Sequence, residues 1–235
     1  MKVVVFGASG MVGQGLLREC LLDAEIESVL VIGRSPTGRQ DAKLREILHK
    51  DLFDLSSIEA ELAGLDACFF CLGSSAAGTS ETDYRRVNFE MPLAVARTFA
   101  RLDPAMTFIY VSGTGTDSTE KGRSMWARVK GKTENALLAL PFRAAYMFRP
   151  GYIQPRHGIR SKTRWYRVMY ATLGWLYPVI KALAPTMATT TEQLGRAMIV
   201  AAKHGAPKRV LEGRDINALT SHRGTTESVT SNCVS

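Results

Sequence analysis

The chain has 235 residues, 46% hydrophobic and 22% charged, a composition that excludes collagenous and disordered classes and suits one large α/β domain. Cys20, Cys68, Cys71 and Cys233 are too few for a secreted disulfide scaffold and fall into no tetrahedral metal spacing, so a reduced, cytoplasmic chain is expected. The net charge of +8 is regional, because no acid lies between Glu134 and Glu192 while Arg143, Arg149, Arg156, Arg160, Lys162, Arg164, Arg167 and Lys181 all do.

The apolar run at 2–7 is cut off by Gly7 too early for a signal-peptide core and reads as a first strand. No segment reaches the roughly 18 consecutive apolar residues that a membrane-spanning helix needs. Further strands are predicted at 28–32, 45–49, 66–71, 107–111 and 143–148, rich in Val, Ile and Phe as strands covered on both faces are. Apolar recurrence at i, i+3, i+4 and i+7 predicts helices at 11–23, 56–63, 82–101 and 124–140. This alternation is that of βαβ units, so the expected fold is α/β, a doubly wound parallel sheet of Rossmann type with a small carboxy-terminal cap. After Pro150-Gly151 the alternation stops, and a basic loop leads to an aromatic-rich stretch at 165–185. A helix at 191–203 is opened by Thr190 with Gln193 as a capping box, and a short strand follows at 209–211. The expected division is a core at 1–155, a cap or substrate region of the same domain at 156–220 and a flexible tail at 221–235.

Directly after the first strand comes Gly7-Ala8-Ser9-Gly10-Met11-Val12-Gly13, opening a helix. Small residues are wanted there because the backbone must turn sharply, approach a pyrophosphate closely and let the helix pack on the sheet, whose N-terminal N–H groups then face the anion. The spacing is G-x-x-G-x-x-G, and with it the chain resembles the short-chain dehydrogenase/reductase superfamily. Asp51 in His49-Lys50-Asp51-Leu52 is similar to the family's acid near the adenine, and Cys71-Leu72-Gly73 to the backbone that passes the cofactor. Asn88 resembles the central-helix asparagine, and Phe148-Arg149-Pro150-Gly151 the motif closing the sixth strand. Val129-Lys130-Gly131-Lys132-Thr133-Glu134 is most similar to the atypical group of Tat-interacting-protein-like and NmrA-like proteins. The resemblance covers about residues 1–155.

An NAD-selective site wants a carboxylate about 20 residues beyond the last glycine, on the ribose 2′-hydroxyl. The chain has Val31-Ile32-Gly33-Arg34-Ser35 there, so Arg34 and Ser35, with Arg39 farther out, are candidates for a 2′-phosphate. NADP(H) is the expected cofactor and NAD(H) the alternative, and Arg34 would be a plain solvent-facing side chain on the second reading.

The resemblance implies a serine at the end of the fifth strand and a Tyr-x-x-x-Lys on the next helix, the tyrosine exchanging a proton and the lysine holding the nicotinamide ribose. Ser112 and Lys130 are present, but Trp126 stands at the tyrosine position, and an indole N–H is no acid or base near neutral pH. Ser112 also reads as a turn serine. Tyr152 and His157 are the candidates for a replacement donor, and Pro150 is a further cofactor contact that the resemblance implies. Cys68 and Cys71, three apart in a strand, point to opposite faces. His49, His157, His204 and His222 show no ligand spacing, and no metal is expected.

The segment 156–181 combines six of the cations with Trp165, Tyr166, Tyr170, Trp175 and Tyr177, and its apolar run is interrupted by Pro178. A buried cap or a homo-oligomer interface is expected; contact with an anionic membrane surface stays open. No nucleic-acid motif accompanies the arginines, so nucleic acid is not an expected partner. Two functions follow. One is a nucleotide-binding or regulatory protein with a degenerate site. The other is an NADP-dependent oxidoreductase or epimerase/dehydratase-like enzyme acting on a small or hydrophobic carbonyl or hydroxyl substrate.

Overall fold

The apolar runs at 2–6, 28–33, 67–70 and 107–111 bury side chains on both of their faces, as in a sheet covered by helices on two sides, whereas the run at 44–48 has no buried residue. A computed structural model describes residues 1–159 and 188–221. Among these, strands β1 (Lys2–Phe6), β2 (Ser28–Gly33), β3 (Leu44–Leu48), β4 (Ala67–Phe70), β5 (Thr107–Val111), β6 (Ala144–Arg149) and β9 (Val210–Glu212) form one parallel sheet in the order β3-β2-β1-β4-β5-β6-β9. That order reverses between β1 and β4, and ligands of such sheets lie in the crevice at the carboxyl ends of these two strands.

Side-chain alternation divides the core. Val3 and Val5 of β1 face one layer with Phe69, Leu16, Leu17 and Leu194, while Val4 and Phe6 face the other with Phe70, Phe99 and Phe108. In the second layer the rings run as a ladder, Phe6 to Phe70 at 5.6 Å, Phe70 to Phe108 at 6.4 Å and Phe108 to Phe142 at 5.1 Å between centroids. Cys68 belongs to this layer and Cys71 to the opposite one, as a strand spacing of three requires.

The first layer is built by α1 (Met11–Leu22) and α5 (Thr191–His204). They touch through glycines: a Cβ on Gly15 would lie 2.7 Å from the Thr191 carbonyl oxygen, and one on Gly195 3.1 Å from Leu16 Cα. Ion pairs edge the contact, Arg196 to Glu19 at 2.8 Å and Lys203 to Asp23 at 2.6 Å. The Thr190 capping box is present, its hydroxyl accepting from Gln193 N at 3.0 Å while Gln193 Oε1 accepts from Thr190 N at 3.3 Å. The second layer holds α3 (Met91–Leu102) and α4 (Met125–Leu138).

Four local readings are revised. The predicted helix at 56–63 is a 3-10 helix at Ser56–Glu61 with no buried residue. The continuous helix at 82–101 is instead α2 (Glu81–Arg85), a π-helical turn (Arg86–Glu90) and α3. Pro92 explains the π turn: its ring crowds the carbonyl of residue 88, and it has no N–H for that carbonyl. Two three-residue strands, β7 (Tyr152–Gln154) and β8 (Ala188–Thr190), pair in parallel apart from the main sheet, and α6 (Gly213–Ser221) follows β9. From residue 188 the chain thus returns to the core through α5 and β9. The aromatic stretch at 165–185 and most of the basic cluster, like the tail at 222–235, lie outside the described residues. No helix among the described residues is long and apolar enough to cross a membrane.

Candidate functional site

Three groups of residues meet at the carboxyl ends of β1, β4 and β5. The first is the glycine turn. Gly7 has φ +83°, and a Cβ there would stand 2.8 Å from the Cys71 carbonyl carbon and 2.9 Å from Leu72 N. Gly10 N donates to Gly7 O at 2.9 Å, closing the turn, and a Cβ on Gly13 would fall 2.1 Å from that same oxygen. Helix α1 therefore starts flush against the turn. Gly10 caps it with no side-chain hydrogen bond, and no acid occupies its first turn, so its N-terminal N–H groups and dipole are left for an anion. Ala8 is buried beneath the turn, while Ser9, Met11 and Val12 are half-buried around it.

The second group surrounds the rim. Arg34 and Ser35 follow β2 and are exposed, and Arg34 has no ion pair or hydrogen bond among the described residues. Asp51, also exposed, accepts from Phe53 N at 3.0 Å, and Leu52 is buried in the second layer. Gly73 ends the chain segment after β4: a Cβ there would lie 3.1 Å from Asn88 Oδ1 and 3.4 Å from Lys130 Nζ. Asn88, buried in the π turn, donates through Nδ2 to Ser74 Oγ at 2.8 Å and to the Tyr84 carbonyl at 3.0 Å.

The third group lies on α4 and the strand ends beside it. Lys130 is buried and donates to Tyr110 OH at 3.0 Å and to the Val111 carbonyl at 3.4 Å. Burial pushes its amine down to about 8, against the pull of nearby Glu134. Ser112 donates to Glu134 Oε1 at 2.5 Å or to the Phe148 carbonyl at 3.2 Å. Both neighbours are acceptors, so the single hydroxyl proton is held inside the protein and the oxygen is left to accept. Fully buried Glu134 is clamped by Arg149, whose Nε lies 3.0 Å from Oε1 and whose NH2 also donates to Oε2. Arg149 further reaches Glu212 Oε1 at 3.0 Å and Ser118 Oγ at 2.5 Å, and its hydrogen bonds to Glu134 hold its proton more firmly than usual.

Trp126 is half-buried one turn before Lys130, its ring edge 3.3 Å from where a Cβ on Gly115 would be, in the loop after β5. Pro150 O accepts from Thr114 N at 3.0 Å, tying the Arg-Pro-Gly element to this loop. The two proposed replacement donors are otherwise engaged: Tyr152 OH donates to Gln154 Oε1 at 2.7 Å, and His157 pairs with Glu192 at 3.0 Å on the exposed side of α5. Tyr110 falls within the predicted strand 107–111, and nothing in the sequence alone singled it out. Glu134 and Arg149 entered only within motifs; their spacing, Glu134 four residues after Lys130 and Arg149 at a strand end, was the available signal.

Lys130→Met is expected to raise stability by about 1–3 kcal/mol at pH 7, because it removes a charge from the interior. The folded pKa lies below the unfolded one, so the charge penalty is full below pH 8 and fades as pH rises toward the ordinary lysine value of about 10.4. Thermal melts should show the gap between variant and native protein shrinking from pH 8 to pH 10; a gap that widens would refute the burial argument.

The fold and part of the sequence are shared with known proteins. The chain is 28% identical over 163 residues to Protein FMP52-2, mitochondrial, of Scheffersomyces stipitis, matching 68% of each protein. It is 27% identical over 144 residues to Leucinostatins biosynthesis cluster protein T of Purpureocillium lilacinum, and 27% over 154 residues to Protein HTATIP2 of Rattus norvegicus. It spans only 52% and 62% of the length of these last two. Among solved structures, DesIV, a dTDP-glucose 4,6-dehydratase from Streptomyces venezuelae with NAD and TYD bound, superposes with a TM-score of 0.66 at 16% identity, over 97% of this chain and 83% of that one. UDP-glucuronic acid 4-epimerase from Bacillus cereus in complex with NAD gives 0.62 at 16% identity, over 90% and 77%. Identities this low bear on the fold alone. Residues 3–123, more than half of the 235, match the NAD dependent epimerase/dehydratase family, to which this chain belongs.

Proposed function

We propose that the protein binds NADP(H) in the crevice between β1 and β4 and that its site is degenerate, so that it works as a nucleotide-binding or regulatory protein. The observation that carries the reading is on α4. Lys130 is buried beside Gly73 and Asn88, while the residue one turn before it is Trp126, whose indole N–H is no acid or base near neutral pH.

The cradle fits the group. Gly7, Gly10 and Gly13 leave no room for side chains and bring the α1 N-terminus to a pyrophosphate, with Ala8, Ser9, Met11 and Val12 as its backbone. Arg34, which has no partner among the described residues, would take the 2′-phosphate with Ser35; Asp51 and Leu52 would flank the adenine; Cys71, Leu72, Gly73 and Pro150 would line the passage to the nicotinamide; Lys130 would hold its ribose. The cofactor, when bound, offers a hydride. Ser112, with its proton on Glu134 or Phe148 O, can only accept a hydrogen bond from whatever lies there. A cytoplasmic setting and a cap or homo-oligomer role for 156–181 belong to the same proposal, since α5 and β9 are part of the core itself.

NADPH should bind more tightly than NADH in a fluorescence titration at fixed salt, and Arg34→Ala should lose about one to two decades of NADPH affinity while leaving NADH nearly unchanged. Equal native affinities would refute the phosphate assignment. The second reading, an oxidoreductase or epimerase/dehydratase-like enzyme, is favoured by the family; NADPH consumption with small aldehydes, unaffected by Trp126→Phe, would establish it.

A further inference from the structure

We propose that Tyr110 is the positioning residue of Lys130: its phenol, held by the Asn88 carbonyl in the π turn, takes one amine N–H and aims the remaining one at the crevice. The proposal rests in part on the dinucleotide-binding reading, and the test separates the two.

The chain of cause starts with Pro92. Lacking an N–H, it cannot give the Asn88 carbonyl its ordinary i+4 helical donor, and this buried oxygen accepts instead from Tyr110 OH at 3.3 Å and faces, at 2.7 Å, Thr133 Oγ1, whose one proton goes either there or to the Val129 carbonyl at 2.8 Å. Tyr110 is fully buried in β5, and burial, with Tyr84 and Glu134 nearby, keeps its phenol protonated. Its one proton goes to Asn88, so its oxygen faces Lys130 as an acceptor at 3.0 Å, with the amine also 4.9 Å from the ring centre. An ammonium has three N–H groups. Tyr110 takes one and the Val111 carbonyl another; the third has no partner among the described residues, and the amine lies beside Gly73 at the end of β4. A long, flexible side chain is thereby held to one geometry, which spares a bound ribose the entropy of ordering it.

The test is amine labelling of the nucleotide-free protein with acetic anhydride across pH 6–11, read at Lys130 by mass spectrometry, together with NADPH titration. For Tyr110→Phe, which keeps the ring but removes the acceptor, Lys130 should label several-fold faster at pH 8 with a lower midpoint, and NADPH affinity should fall about tenfold. Pro92→Ala restores an N–H that competes with Tyr110 for the Asn88 carbonyl, and it should move the labelling profile the same way if Tyr110→Phe does not fold. Altered labelling in a protein whose native form does not bind NADPH would uphold the positioning role and refute the cofactor reading. A folded Tyr110→Phe with native labelling and native NADPH affinity would overturn the proposal.

Discussion

Arg149→Ala is expected to lose about 3–5 kcal/mol of stability, because it strands the fully buried Glu134 carboxylate without its counter-charge. For a chain of this size that is a fall of roughly 10 °C in Tm. Glu212, half-exposed, and Ser118 lose their partner too but can turn to water. The stranded carboxylate would bind a proton more readily folded than unfolded, so the variant, unlike the native protein, should gain relative stability as pH falls from 7 toward 5. Replacing both partners by apolar residues, Glu134→Leu with Arg149→Met, should recover much of the loss, since neither charge is then buried alone. Circular-dichroism melts across this pH range decide the matter; a loss below about 1 kcal/mol for Arg149→Ala would show that the pair is already solvated.

Gly13→Val is expected to abolish dinucleotide binding while costing about 1–3 kcal/mol in stability, by overpacking. Even the first carbon of a side chain would sit 2.1 Å from the Gly7 oxygen and 2.8 Å from Ala8 Cα, and both are backbone atoms that can yield only if α1 moves off the sheet. That movement carries the helix N-terminus away from the pyrophosphate. Gly10→Ala is the contrast, since its Cβ would meet Gly7 O at 3.3 Å, a contact that a few tenths of an ångström relieve. Fluorescence titration with NADPH should show no saturation for Gly13→Val and a modest weakening for Gly10→Ala; similar affinities for the two would remove the steric basis for the turn.

The sheet was legible because strands such as Val3-Val4-Val5-Phe6 are apolar on both faces and alternate with helical stretches, as in a helix-covered parallel sheet. The glycine turn was legible because it is a local matter of residue type next to a strand end. Elements with little to bury escaped: α6 has only Ile216 in the core, and β7 and β8 are three residues each. The π turn hid within a helical period that Pro92 only locally distorts. The Ser112–Glu134–Arg149 contact and the Lys130–Tyr110 pair join strand ends to α4, so they depend on how that helix sits on the sheet and on which way each buried side chain turns.

The closeness of α1 and α5 sets an order of events during synthesis. The bonds Arg196 to Glu19 and Lys203 to Asp23 close loops of 177 and 180 residues, and the glycine contact between the same helices spans a similar length. Until α5 has left the ribosome, the face of α1 that carries Leu16 and Leu17 has no lid, although the strand and turn before it were made first. The nucleotide turn is therefore translated well before it can become rigid, because its supporting helix is seated only by a partner made some 180 residues later. Nascent chains halted before residue 191 would expose that apolar strip to chaperones, and the long loops predict slow maturation of the binding site.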